Sequence, residues 1–138
     1  MKNFISVIAL SLASFTSMAA SVSFPESLEV IGVNGLNNVD SRYLQLDNGQ
    51  NLIELQYRDL FESNADDTSW VRSEPLYLYI DLETTANYKA ITPKILSEED
   101  AYEFINSPFI KLTDEGGSEK QVALMTHSQL MTKLLLSK

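Results

Sequence analysis

Hydrophobic and polar positions along this chain follow three successive patterns. An apolar run from Phe4 to Phe15 comes first. Period-two alternation then dominates, and from Ser97 onward two helical stretches are interleaved with short strands. In the alternating region Leu28 and Val30 share one face, with Glu29 and Ile31 on the other, and Asn34-Gly35 offers a tight turn. Arg42 to Leu46 is a second candidate strand. The turn residues Asp47-Asn48-Gly49 follow, and then Ile53, Leu55 and Tyr57 alternate with Glu54, Gln56 and Arg58. The spacing predicts a hairpin formed by these two runs. Glu62 to Ser69 is polar and turn-rich, which predicts an exposed loop.

Pro75 opens a strand with Leu76, Leu78, Ile80 and Leu82 on one side and Tyr77, Tyr79 and Asp81 on the other. Bulk on both sides predicts a strand covered on each face. Asn87 to Ile95 reads as a further strand, and Pro93 within it points to a sheet edge. Ser97 is a helix N-cap followed by Glu98, Glu99 and Asp100, acids that suit the positive end of a helix dipole. Ala101, Tyr102, Phe104 and Ile105 form its apolar stripe, and Pro108 ends it. Phe109 to Leu112 and Gln121 to Met125 flank the turn residues 114–117. Thr126 with Gln129 forms a capping box for a last helix, Ser128 to Leu136, with Leu130, Met131, Leu134 and Leu135 on one side. The pattern as a whole predicts an α+β fold, mainly antiparallel β, as a small β-sandwich-like domain with two short helices.

The opening run carries a different message. Lys2 precedes it, and the small residues Ser17, Ala19 and Ala20 follow. A charged start, an apolar centre and a small-x-small exit make a secretory signal peptide, and the run is shorter than the roughly 20 apolar residues a membrane-spanning helix needs. The expected cut falls between Ala19 and Ala20. Residues 1–19 are then the signal peptide and residues 20–138 a single small β-rich domain. The expected address is a Gram-negative periplasm, with no stable membrane anchor.

Composition narrows the remaining chemistry. Ten basic residues face 19 acidic ones, a formal net charge of −9. Such a surface repels nucleic acid and favours cationic, neutral or apolar partners. With no cysteine, no disulfide can form and stability rests on packing. A lone histidine, His127, sits in the first turn of a helix with no Gly-x-Ser-x-Gly element anywhere, so it reads as structural rather than catalytic. One histidine without cysteine falls short of the usual zinc sets. The acid groups Asp66-Asp67, Glu98-Glu99-Asp100 and Asp114-Glu115 lack the alternating spacing of a calcium loop. There is no glycine-rich phosphate cradle. The sequence therefore offers no catalytic residue, no metal site and no cofactor. Trp70, Arg72, Tyr77 and Tyr79 remain as candidate binding residues, since aromatics and arginine dominate binding hot spots. Tyr77 and Tyr79 could equally be covered by a helix or a second sheet.

The order of segments also resembles a known family. The Leu28–Gly35 strand and turn, Leu44–Tyr57, Ser73–Leu76, Asn87–Ile95, the acidic helix and Ser107–Asp114 follow one another as in the YccT-like family of small periplasmic proteins. The resemblance spans roughly residues 20–125 and rests on this collinear order. It implies a non-enzymatic exported protein of the curli-assembly-inhibitor type, which binds another exported polypeptide and restrains fibre or biofilm-matrix assembly. It carries over no catalytic residue. The residues themselves offer an alternative, a carbohydrate or cell-wall binding module built on exposed aromatics.

Overall fold

The computed structural model describes residues 19–37, 42–82 and 86–137. The apolar run and Ser17 of the expected export signal lie outside the described residues. Two sheets face each other. The first contains β1 (Ala19–Ser23), β4 (Tyr43–Asp47), β8 (Asn87–Ile91), β9 (Phe109–Thr113) and β10 (Glu119–Ala123), in the order β10-β9-β8-β1-β4. The second contains β2 (Leu28–Val33), β3 (Leu36–Asn37), β5 (Gly49–Asn64), β6 (Asp67–Arg72) and β7 (Leu76–Leu82). Every pairing is antiparallel except β1 with β8. Inward residues of both sheets form one apolar cluster: Val22, Leu46, Ala90 and Ile110 from the first, and Leu28, Ile53, Leu55 and Leu78 from the second. Helices α1 (Glu98–Asn106) and α2 (His127–Leu136) complete the α+β, sandwich-like architecture.

Most strand faces follow the alternation. Leu28 and Val30 are buried while Glu29 is exposed, and Leu76, Leu78, Ile80 and Leu82 all face the core. Asn34 (φ 49°) and Gly35 (φ 82°) form the tight β2–β3 turn; both sit in left-handed backbone, which asparagine and glycine tolerate best. Ser97 caps α1 by accepting from the Asp100 amide at 3.2 Å, and the Thr126–Gln129 capping box starts α2.

Three expectations are corrected. The first is the hairpin of residues 42–57. β4 pairs with β1, not β5, so Asp47-Asn48-Gly49 carries the chain from one sheet to the other. A turn signal between two alternating runs marks a change of direction, but it does not say which sheet each run joins. The second is the loop of residues 62–69, which is the end of a two-stranded ribbon. β5 runs on to Asn64 and pairs with β6 from Arg58 onward, with one irregularity between Glu62 and Asn64, closing at Ala65-Asp66. β2 stops opposite Tyr57, so beyond that point only two strands continue and only Phe61 and Val71 carry apolar side chains toward the core. Such a ribbon shows little of the alternation that reveals a buried strand. The third is the edge position of the Pro93 strand. β8 ends at Ile91, before the proline, and lies inside its sheet between β1 and β9.

One irregularity positions the candidate site. β6 and β7 lie along the same edge of β5 as two halves of one interrupted strand. Arg58 pairs with Arg72, and Tyr57 meets Ser73 through a backbone bond of 2.9 Å, but Leu55 pairs with Leu76. One extra residue is therefore accommodated around Glu74-Pro75, where proline has no N–H to give to the ladder. Ser73 is buried at this break. Its hydroxyl accepts from the Tyr57 amide at 2.9 Å, and its carbonyl accepts from the Gln56 side chain at 2.9 Å.

Candidate binding face

The bulge changes which side chains share a surface. In an uninterrupted strand Trp70 and Arg72 would face opposite to Tyr77 and Tyr79. The extra residue shifts the parity, so all four lie on the outer face of the second sheet, beside Glu54, Gln56, Arg58 and Leu60. Val71, Leu76 and Leu78 correspondingly all face the core.

This outer face has a covered end and an open end. α2 lies over the Tyr77–Tyr79 end. The Lys133 ammonium stands 4.8 Å above the Tyr79 ring, and the His127 ring is 6.1 Å from that of Tyr77. Met125 bridges Tyr77 through two backbone bonds of 2.8 and 2.9 Å, closing the edge of β7 at that point. Both tyrosines are half-buried. Desolvation raises the Tyr77 hydroxyl pKa, and the Glu54 carboxylate, 3.5 Å from that hydroxyl, adds to the rise.

The open end is the β5–β6 ribbon. Trp70 is 57% exposed, and Arg58, Leu60 and Arg72 are exposed with it. The Arg58 guanidinium sits over the indole of Trp70, 4.3 Å from the ring centre, a diagonal cross-strand contact on one face of a side chain that stays largely exposed. Arg58 donates its amide to Ser27 on the opposite side of β5, so Arg58 and Arg72 are a non-hydrogen-bonded pair, the kind whose side chains lie closest. By the same alternation, the main-chain groups of Trp70 and Arg72 point away from β5. Among the described residues β6 has no second partner strand, so this edge carries no second ladder there.

On the inner side of the ribbon, Tyr57 packs against Phe104 of α1 with ring centres 5.2 Å apart. Burial pushes the Tyr57 hydroxyl pKa well above the ordinary tyrosine range, helped by Asp59, whose carboxylate accepts from it at 3.4 Å. α1 thus holds the base of the ribbon in place. Beside it, Pro93, Lys94, Asp100, Glu103 and Ser107 line a shallow open cavity of about 500 Å³.

The sequence-predicted residues therefore separate into two groups. Trp70 and Arg72 are adjacent and open, whereas Tyr77 and Tyr79 share their face but lie beneath α2. Arg58 and Leu60 were missed, although the wet-face parity of Gln56 and Arg58 already pointed to them. Ala19 and Ala20, the expected cleavage pair, open β1: Ala19 is exposed opposite Asp47, and Ala20 is fully buried opposite Leu46. Among the described residues no group of histidine, cysteine, aspartate and glutamate could hold a metal ion, and no helix is long and apolar enough to cross a membrane.

A family model described as "Uncharacterized protein conserved in bacteria (DUF2057)" matches residues 21–137. The chain belongs to this family. The family match runs from β1 through α2, so the terminal helix, which the sequence resemblance left out, is part of the family's shared extent. No curated protein and no solved structure matches the chain.

Proposed function

We propose that this protein is a non-enzymatic periplasmic protein of Gram-negative bacteria that holds an extended stretch of another exported polypeptide against the free edge of β6. The β5–β6 ribbon carries this reading. It offers an unpaired strand edge for main-chain hydrogen bonds, with Trp70, Arg58 and Arg72 beside it for side-chain recognition. The apolar run with small residues at Ser17 and Ala19, in a member of a bacterial family, supports export. The similarity to YccT-like proteins supports a polypeptide that assembles into extracellular fibres or biofilm matrix. Capping a growing strand edge is a physical route to restraining such assembly. The test adds the purified protein to a polymerising amyloid subunit at equimolar ratio. A lengthened lag phase, reduced by Trp70→Ala, is expected; an unchanged lag contradicts the proposal.

A second reading follows from the exposed indole of Trp70, which is suited to stacking on a sugar ring. Under it, the protein sediments with peptidoglycan or matrix polysaccharide and Trp70→Ala releases it. Retention unaffected by that substitution removes the stacking platform.

A further inference from the structure

The sign of the charge at the open end runs against that of the whole chain. In a protein with 19 acidic and 10 basic residues, Arg58 and Arg72 stand directly opposite each other on neighbouring strands of an exposed face. Like charges placed so are unfavourable. Among the described residues neither guanidinium forms an ion pair; the pair present is Arg42 with Glu26, at 3.6 Å. The acids that border the two arginines, Glu29 opposite Gln56 and Glu74 at the bulge, do not pair with them. Their other same-face neighbours are Gln56, Leu60 and Trp70. The site therefore holds two unneutralised guanidinium groups, one pinned by an aromatic ring, next to an unpaired backbone edge.

We infer that this cluster selects an acidic extended polypeptide segment, with carboxylates at alternate positions reaching Arg72 and Arg58 while its backbone pairs with β6. The inference rests on the polypeptide-binding reading above and specifies the chemistry of the segment. Charge complementarity names the anion, because a guanidinium gives carboxylates a bidentate partner. The free edge names the class of molecule, because its N–H and C=O groups at Trp70 and Arg72 match a strand rather than a sugar chain. A strand added beside β6 would place every second side chain on the Trp70–Arg72 face. The net negative charge of the protein opposes any acidic partner at long range, but at about 0.15 M salt the screening length is about 8 Å and contact interactions decide.

Trp70 is the single tryptophan of the chain, so its fluorescence reports the site directly. The purified protein is titrated with a short peptide alternating Glu and Thr, the same peptide with Gln in place of Glu, an N-methylated version of the Glu peptide, and oligogalacturonate. The expected result is a saturable change with the Glu peptide, weakened about tenfold by Arg72→Gln and by Gln-for-Glu replacement, and lost on N-methylation. Equal binding of the Glu and Gln peptides overturns the acidic preference and leaves polypeptide binding standing. Oligogalacturonate binding without peptide binding overturns both and favours the sugar reading. No response to any probe also overturns both.

Discussion

Asn34 and Asn51 are joined side chain to side chain, with Asn34 Nδ2 donating to Asn51 Oδ1 at 3.0 Å. Asn51 is 2% exposed, and its own amide donates to the carbonyls of Asp47 and Gly49 at 2.9 and 3.1 Å. Asn34 in turn accepts from the Leu52 amide at 2.8 Å and donates its backbone N–H to the Leu52 carbonyl. Two residues thus tie the β2–β3 turn to the point where the chain leaves one sheet for the other. The Asp47–Gly49 segment, which has no hairpin ladder, is held by this amide instead. Asn51→Ala removes the donor that the Asp47 and Gly49 carbonyls share and the partner of the Asn34 amide, and is expected to cost about 1–3 kcal/mol in urea unfolding. Asn34→Ala adds left-handed strain to the same loss, so the double variant should cost less than the sum of the singles.

The bulge at Glu74-Pro75 sets the parity of β7. Glu74 is exposed, so Glu74→Ala is expected to change stability by no more than about 0.5 kcal/mol. Deleting Glu74 is a different matter. It would turn Leu76, Leu78 and Ile80 outward, or strip β7 from β5, and the loss rivals a whole domain stability of about 5–15 kcal/mol. Thermal unfolding followed by circular dichroism should show a cooperative transition for the substitution and none for the deletion.

The two faces of the ribbon and its sheet should respond oppositely to truncation. Leu78 is fully buried, and Leu78→Ala is expected to cost about 2–5 kcal/mol. Trp70→Ala, on the open face, loses a solvent-exposed cation–π contact and is expected to cost less than about 1 kcal/mol while removing client binding. Denaturant titration of both variants, alongside the fibre lag assay for Trp70→Ala, checks the division between core and site.

Tyr57 makes stability depend on alkaline pH. Its folded pKa is raised by burial and by Asp59, whereas the unfolded chain titrates near the ordinary value of about 10. Below that value both states hold the proton and the tyrosine contributes fully. Above it the unfolded state releases the proton first, so stability falls as pH rises. Tyr77 adds to the fall in the same direction. Tyr57→Phe should flatten this loss between about pH 10 and 11, measured as the denaturation midpoint against pH.

The sequence made the faces of strands legible where one side was buried, as at Leu28–Val30 and Leu76–Leu82, and it made both helix starts legible through Ser97 and Thr126. What it hid were relations between distant segments. Residues 42–46 and 53–58 look like one hairpin because local turn chemistry is indifferent to which strand supplies the hydrogen bonds. Residues 62–69, the far end of the ribbon, look like a loop because two unsupported strands bury little. Trp70 and Arg72 could be singled out by residue type, but their coplanarity with Tyr77 and Tyr79 depends on an extra residue whose effect is visible only once both halves pair with β5. Arg58 was legible as a wet-face residue. Its position opposite Arg72 followed only from the register.

Hydrogen–deuterium exchange at the backbone amides of Trp70 and Arg72 tests the binding edge most directly. In the free protein these amides face no partner strand and should exchange rapidly. On addition of a bound polypeptide client they should slow by about tenfold or more, while the neighbouring Val71 amide, already turned toward β5, changes little. Client binding that leaves the Trp70 and Arg72 amides unprotected would contradict the account.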